Sequence, residues 1–398
     1  MRKEDVRVAA QRVDDLFPPF ERLFGKAAAR THARTYVKGL MSNLARKSID
    51  PIAQALGGSR RSALQKFLNI APWHASDLHK ELQRSFGARQ QAEPLGPVTL
   101  IVVEHGFIKK GRESVGVARQ WNPRTRRIEN CQVGLFLIAV AGEISCMLDA
   151  RLYLPVSWCD GSEETRKRRL RAHVPVGTHH RTKSQIALDL LRRCVALGFV
   201  TTNLLAMEES IANDGDIREQ LSSQDRPFLV GVPQSQVIFV STLLCPGVSQ
   251  GHQAATPNDE VAITATSLCE ALASDHWNEA AIQTGDAIDH VEYAMVRVRL
   301  SSPAVIDRPF WLLIRGKSDL DRSAPEFYLT NTGPSAVLLL LEALQRIDEG
   351  PAFFPAAEEF LGLGHYETRS WGGWHHHMSL ASLAHWLVIS ATSASQVD

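Results

Sequence analysis

The chain has no long apolar run, no paired cysteines and almost no net charge, and each absence narrows what it can be. No stretch approaches the roughly 18 uncharged apolar residues that a bilayer crossing requires. The most apolar segment, AVLLLLEAL at 336–344, is too short and reads as a core helix. The start, MRKEDVRVAAQRVDDLF, lacks the apolar centre of a secretory signal, so a cytoplasmic protein is expected. The six cysteines (131, 146, 159, 194, 245, 269) stand far apart, without a C-x-x-C pair. That excludes a zinc ribbon and a disulfide scaffold, and leaves small buried hydrophobes in a reducing compartment. No internal repeat or low-complexity tract is evident.

What is present is a length of 398 residues, enough for two or three domains, with an ordinary globular composition: 44% hydrophobic and 22% charged. The net charge of +1 conceals an uneven distribution. Residues 1–70 carry 14 Lys and Arg against 6 Asp and Glu. A basic end on a neutral chain points to a polyanion such as DNA, or to a solvated basic face without a partner.

Residues 1–87 read as helical. In SIDPIAQALGGSRRSALQKFLN, Ser48 and Ser59 are candidate caps for two short helices separated by Gly57-Gly58. The second opens on Arg60-Arg61, as a DNA-reading helix-turn-helix would; plain helical packing gives the same pattern. The polar segment at 88–97, the end of GARQQAEPLGP, reads as a linker. Then the pattern changes. VTLIVVE is a continuous apolar run, a strand buried on both faces. CQVGLFLIAVAG and EISCMLDARLYLP flank a hairpin turn at Gly142-Glu143. TKSQIALDLLRRCVALG is an amphipathic helix stopped by Gly198. FVTTNLLAM reads as a strand, DGDIREQLSSQ as a short helix and PFLVGVP as a strand. Strands alternating with helices make a mixed α/β sheet with helices on its faces. Strands are again expected in SQVIFVSTLL, YAMVRVRLSS, PFWLLIRGK and EFYLTN. EVAITATSLCEALAS reads as a helix, and the last third is helical.

Several strings in order, HGFIKKG (105–111), RIENCQVGLFL (127–137), LYLPVSW (152–158), TKSQIALDLL (182–191) and GLGHYETRSWGGWHHHMSLASLAH (362–385), resemble the DDE-superfamily transposases of bacterial insertion sequences. The resemblance runs from about residue 30 to the C-terminus. It implies an α/β, ribonuclease H-like mixed sheet flanked by helices. The expected divisions are a helical, basic, DNA-binding domain at 1–87, a linker at 88–97 and a first part of the core at 98–235. A strand-rich insertion at 236–335 and a C-terminal helical part of the core at 336–398 complete it. It also implies DNA as partner and no membrane, and it allows a homo-oligomer.

Enzymes of this kind hold two divalent metals on three acids and use them for in-line phosphoryl transfer. Aligned without gaps, the first acid falls on Val103, with Glu104 after it. The second falls on Met207, with Glu208 after it. The third falls at Gly350 or Pro351, near Glu349, and a lysine that follows it in the family falls near Glu358. Proline there disfavours a continuous helix. Valine and methionine offer Mg²⁺ no oxygen ligand. Glu104, Glu208 and Glu349 are the candidate substitutes, but a one-residue slip on a strand turns a side chain to the opposite face. The expected protein is therefore a transposase-like DNA-binding or regulatory protein without a cofactor. Its alternatives are an active Mg²⁺-dependent endonuclease using the displaced acids, and a protein-interaction scaffold. Candidate DNA contacts are Arg60, Arg61, Lys109, Lys110, Arg166, Lys167, Arg168, Arg169 and Arg171. His375, His376 and His377 cannot share one ion, since successive helical residues point about 100° apart. With His365 and His385 they read as a polar, partly exposed helix start. Glu367 and Arg369 read as a structural ion pair or as a helix start, rather than as catalytic groups.

Overall fold

The basic start of the chain folds as α1 (Lys3–Gln11), α2 (Val13–Leu16), α3 (Pro18–Glu21), α4 (Ala27–Leu40), α5 (Ile49–Leu56), α6 (Arg61–Asn69) and α7 (Ala75–Ala92). The computed structural model describes residues 1–57, 59–93, 95–212, 220–221, 226–241, 244, 260–284, 287–300, 310–316 and 324–394. The segment expected as a linker is helical up to Ala92, the end of α7. Gly57, at φ 67°, ends α5, as the sequence indicated. Ser48 stands at the N-cap of α5 as expected, without a side-chain cap bond, but Ser59 does not cap α6. Arg60 stands at the N-cap of α6, and Ser59 Oγ instead meets His32 Nδ1 at 2.5 Å.

The apolar run after α7 forms β1 (Val98–Ile108), buried at every residue but the last. A short strand absent from the sequence reading, β2 (Ala118–Asn122), precedes β3 (Arg127–Ala141). Gly142, at φ 53°, then turns the chain into β4 (Ile144–Leu152), the expected hairpin. β1 pairs antiparallel with β3 from Val98 opposite Ala141 to Ile108 opposite Cys131, without a bulge. β2 pairs with the first part of β3 and β4 with the rest. The basic segment becomes α8 (Glu163–Arg171), capped by Ser162. α9 (Lys183–Leu197) opens on a reciprocal cap between Thr182 and Gln185, closes on left-handed Gly198, and packs on β1, β3 and β4.

Two compact units divide the chain: residues 1–202 with 348–398, and residues 203–347. In the second, β5 (Leu204–Met207) and α10 (Glu209–Ala212) lead to β6 (Phe228–Val232), parallel to β5. β7 (Val237–Ser241), β8 (Glu260–Thr264), α11 (Ala265–Ala271), β9 (Asn278–Thr284), β10 (Ala287–Leu300), β11 (Phe310–Arg315) and β12 (Glu326–Thr330) follow. They order as β5-β6-β12-β11-β10-β7-β8, with β9 on β10, and all but the β5–β6 pair run antiparallel. The mixed α/β architecture matches the expectation. EVAITATSLCEALAS is corrected: its first five residues are strand β8, and only then does α11 begin. Most of DGDIREQLSSQ lies outside the described residues.

α12 (Val337–Leu361) begins in the second unit and ends in the first. It runs unbroken through Pro351, where a break was expected, and through Pro355. Each proline removes one backbone donor from the ladder. The buried Phe354, Ala357 and Leu361 keep the last turns packed nonetheless.

α13 (Trp371–Ala394) is the axis of the first unit, contacted by α1, α2, α4, α6, α7 and β4. A helix apolar all round must be covered all round. That is why residues 1–87, expected as a helical, basic domain, wrap α13 within the same unit as the first sheet. It also corrects the histidine reading: His375, His376, His377 and His385 are all buried. The ring of His375 donates from Nδ1 to the Trp371 carbonyl (2.9 Å). His376 lies between the carbonyls of Leu68 and Trp73 and stacks on Trp73 at 3.8 Å. His377 donates from Nε2 to the Leu363 carbonyl (3.0 Å) and accepts from the Tyr36 hydroxyl (2.9 Å).

Candidate functional site

Residues opposite one another on paired strands share a face, and neighbours along a strand alternate. Val103 and His105 therefore lie on one face of β1, and Glu104 on the other. Val103 is 1% exposed and sits opposite Phe136 of β3. Phe136 in turn meets Phe354 of α12 and Trp374 of α13. This side of β1 is an aromatic core.

Glu104 points toward α9. Its side chain is 1% exposed, and the ammonium of Lys183, from the first turn of α9, forms its ion pair. Apart from that ammonium, no hydrogen-bond donor among the described residues reaches either Glu104 oxygen. One carboxylate and one ammonium are thus enclosed together, on the side of the strand away from Val103.

On the Val103 side, His105 Nε2 lies 3.1 Å from Glu358 of α12, a contact the sequence reading did not foresee. Arg124 donates to both oxygens of the same carboxylate, at 3.0 and 2.9 Å. The imidazole stacks on Phe354 with ring centres 4.2 Å apart. Burial alone would push the Glu358 carboxyl up, but His105, Arg124 and His365 hold it below its ordinary range. Burial lowers the His105 pKa, against the pull of Glu358. Near neutral pH the pair is an anionic carboxylate and a neutral ring. It clamps α12 onto the end of β1.

The strings HGFIKKG and GLGHYETRSW meet here. Lys109 Nζ sits 3.5 Å above the centre of the Tyr366 ring, a cation–π contact. Burial, then the charge of Arg46, brings the Lys109 ammonium down to about 8. Tyr366 donates its hydroxyl to Gln132 at 2.9 Å. Arg46 pairs with Glu367 at 2.6 Å, so Glu367 has an ion pair, with Arg46 as its partner. The Lys47 backbone amide donates to His365 Nδ1 at 3.1 Å, and its ammonium donates to the Phe360 carbonyl.

The other candidate positions are spread more widely. Met207 ends β5 and is buried; Glu208 follows it, half-buried and engaged. Glu349 and Pro351 fall within α12. Arg60 and Arg61 are exposed at the start of α6, where Arg61 pairs with Asp50 at 2.5 Å. The buried side of α6 is Leu64, Phe67 and Leu68; the open side carries Arg61, Ser62, Gln65 and Lys66. On α8, Arg168 donates to the carbonyls of Arg112 and Val117 and covers the Trp158 ring at 3.8 Å. Arg169 donates to the carbonyls of Trp158 and Thr178 and to Cys159 Sγ. Arg166, Lys167 and Arg171 are exposed; Lys167 pairs with Glu163 and Arg171 with Glu113. Lys110 is exposed beyond β1.

Gly106 fixes how closely the β2–β3 turn approaches β1. A Cβ there would stand 1.8 Å from Asn122 Oδ1, and Asn122 is fully buried. Gly106→Ala is expected to cost about 1–3 kcal/mol by overpacking and to push the turn outward. Urea denaturation reads the first effect. Faster tryptic cutting after Arg124, Arg126 and Arg127 reads the second. Wild-type values of both would show that the turn does not depend on this contact.

Set beside known proteins, residues 19–287 match the family model described as DDE superfamily endonuclease. Over 168 residues the chain is 28% identical to a probable transposase for insertion sequence element IS701 from Microchaete diplosiphon. That match covers 42% of this chain and 40% of the relative, so the chain spans well under half of its length.

Proposed function

The chain belongs to the DDE superfamily endonucleases, and from that premise we propose that it is a transposase-like protein that binds DNA without metal-dependent cleavage. The observation that carries this reading is the direction of Glu104. The acid that follows the expected metal-ligand position faces α9 and already holds the Lys183 ammonium. At the ligand position itself stands Val103, packed among aromatic rings. On its side of the strand the nearby carboxylate, Glu358, is engaged by Arg124 and His105. Each acid flanking the position thus has its own cation or ring, and a divalent ion would have to displace it. Among the described residues no group of three or more His, Cys, Asp or Glu is arranged to hold a metal. Around Val103 the described residues do not fit a two-metal centre.

DNA contact is supported by charge placement. Lys110, Arg166, Lys167 and Arg171 are exposed in the first unit, as is the basic side of α6. Such residues hold phosphates without reading sequence. No helix among the described residues is long and apolar enough to cross a membrane.

Calorimetric titration of Mn²⁺ into the protein, with and without a short duplex, tests the catalytic half. No heat beyond dilution is expected. Saturable binding of two ions per chain would overturn the reading and return Glu104, Glu208 and Glu349 to the role of ligands. Charge reversal at Arg166, Lys167 and Arg171 is expected to weaken duplex binding and flatten its salt dependence. Absence of any duplex binding would favour a protein-interaction scaffold instead.

A further inference from the structure

In the tip of the β2–β3 hairpin, WNPRTRRI at 121–128, Asn122 is buried against β1 and Arg124 binds Glu358, while two large apolar side chains stay at the surface. Trp121 of β2 stands directly opposite Ile128 of β3. By the pairing register both lie on the sheet face that carries His105. They are 48% and 61% exposed, and no ring or cation of the described residues stacks on Trp121. Two large apolar side chains are thus presented side by side to solvent on a rigid strand pair.

The surroundings are strongly cationic. Arg119, Arg124, Arg126 and Arg127 are all exposed. The hairpin's one acid, Glu129, is turned to internal use: Asn122 donates to it at 2.7 Å, and so does Thr125. Arg124 is fastened to Glu358. Arg119, Arg126 and Arg127 have no acidic partner among the described residues. The turn is held from inside: Asn122 Oδ1 accepts from the Arg124 amide (3.0 Å), and the Arg126 amide closes onto the Asn122 carbonyl (2.9 Å).

We propose that this hairpin tip is a platform for unpaired nucleotides at a DNA end, with Trp121 and Ile128 stacking a base and the flanking arginines holding the adjoining phosphates. The proposal rests on the DNA-binding reading above and names which form of DNA the β1 end receives. An aromatic face binds any base, but only a base outside the duplex stack exposes its own face. Guanidinium groups match phosphate in two-point geometry. A second protein copy is a poorer fit. Two apolar side chains are far short of the roughly 800 Å² per partner of a stable interface, and the three arginines without an acidic partner oppose self-association.

The test uses the full chain and two probes. One is a blunt duplex. The other is the same duplex with a short unpaired tail containing 2-aminopurine, whose fluorescence falls on stacking. The tailed probe is expected to bind about tenfold tighter, with quenching. Trp121→Ala is expected to abolish both the preference and the quenching while leaving blunt-duplex binding unchanged. As an exposed position it is expected to leave the urea midpoint unmoved. Arg126→Glu with Arg127→Glu is expected to weaken tailed binding further. Equal binding of the two probes by the wild type would overturn the proposal while the DNA reading stands. So would a preference that survives Trp121→Ala. Binding of neither probe, with capture by anionic phospholipid vesicles, would overturn both.

Discussion

Lys183→Met is expected to be among the most damaging single changes in the first unit, costing about 3–5 kcal/mol. The substitution keeps the bulk of the side chain and removes its charge. Glu104 is then left 1% exposed, without the cation that faces it. No donor among the described residues is in place to compensate. Glu104→Gln is expected to cost less, because Lys183 is 21% exposed and retains water. The double variant should recover a large part of the loss, because no unpaired charge stays enclosed. Urea denaturation of the four proteins, compared at constant m, measures the cycle. The result also bears on function. A carboxylate kept for metal chemistry would show its loss in metal binding and leave stability nearly untouched. Single variants within about 0.5 kcal/mol of wild type, the range of ordinary surface changes, would mean that the pair does not hold α9 to β1.

Much of the first unit's framework was legible in the sequence because local signals and tertiary demands agree there. β1 is apolar without alternation because it is covered on both faces. The Gly142-Glu143 turn lies between two apolar runs. Thr182 and Gly198 bracket α9 with a cap and a left-handed stop. Elements went unread where the two disagree. ARQWN forms β2 only because β3 offers a partner edge; its residues are half polar and half exposed, so no period marks them. In α12, Pro351 and Pro355 speak against a helix, and packing of Phe354, Ala357 and Leu361 overrides them.

The site was legible at one level and hidden at another. Alternation along β1 already implied that Glu104 and Val103 face opposite ways, and the unbroken register bears that out. What Glu104 meets was not readable, since Lys183 is 79 residues away in sequence and its own string signals only a helix start. His105 and Glu358 were hidden for the same reason: 253 positions separate them, and neither sits in a spacing that announces a pair. The adjacent glutamates Glu358-Glu359 were a weak signal, an acidic turn in an otherwise apolar helix end. Arg168 and Arg169 show the opposite error of reading. A run of like charges looks like a surface patch, yet these two side chains are tied to backbone carbonyls and to Trp158.

The buried histidines of α13 make the fold sensitive to mild acid, and the sign follows from where each proton is held. Burial lowers His377 to about 4, and His375 and His385 to about 3, from an ordinary value of 6.5. Above about pH 6.5 both the folded and unfolded chains carry these rings neutral, and stability is flat in this respect. As pH falls below that value the unfolded chain takes up protons that the folded chain refuses, so stability declines until the folded values are reached. Each ring contributes about 1.4 kcal/mol per pH unit. By pH 5.5 the three together remove about 4 kcal/mol. Glu358 and Asp149, held below the ordinary carboxylate range, titrate at lower pH and do not confuse this window. His32, His105, His365 and His376 are shifted in the same direction and add to the slope. His385 separates the effect from general acid sensitivity. Its Nδ1 has no hydrogen-bond partner among the described residues, and its ring packs edge-on to Phe353 at 4.8 Å. His385→Leu is therefore expected to stabilise the protein at pH 5.5 relative to wild type and to make the decline between pH 7 and 5.5 shallower. His377→Leu also removes a titrating group. It breaks the bonds to Tyr36 and Leu363 as well, and is expected to destabilise at every pH. Urea midpoints of the three proteins across that range decide the matter. A wild-type midpoint that does not move would mean that these rings already carry protons in the fold.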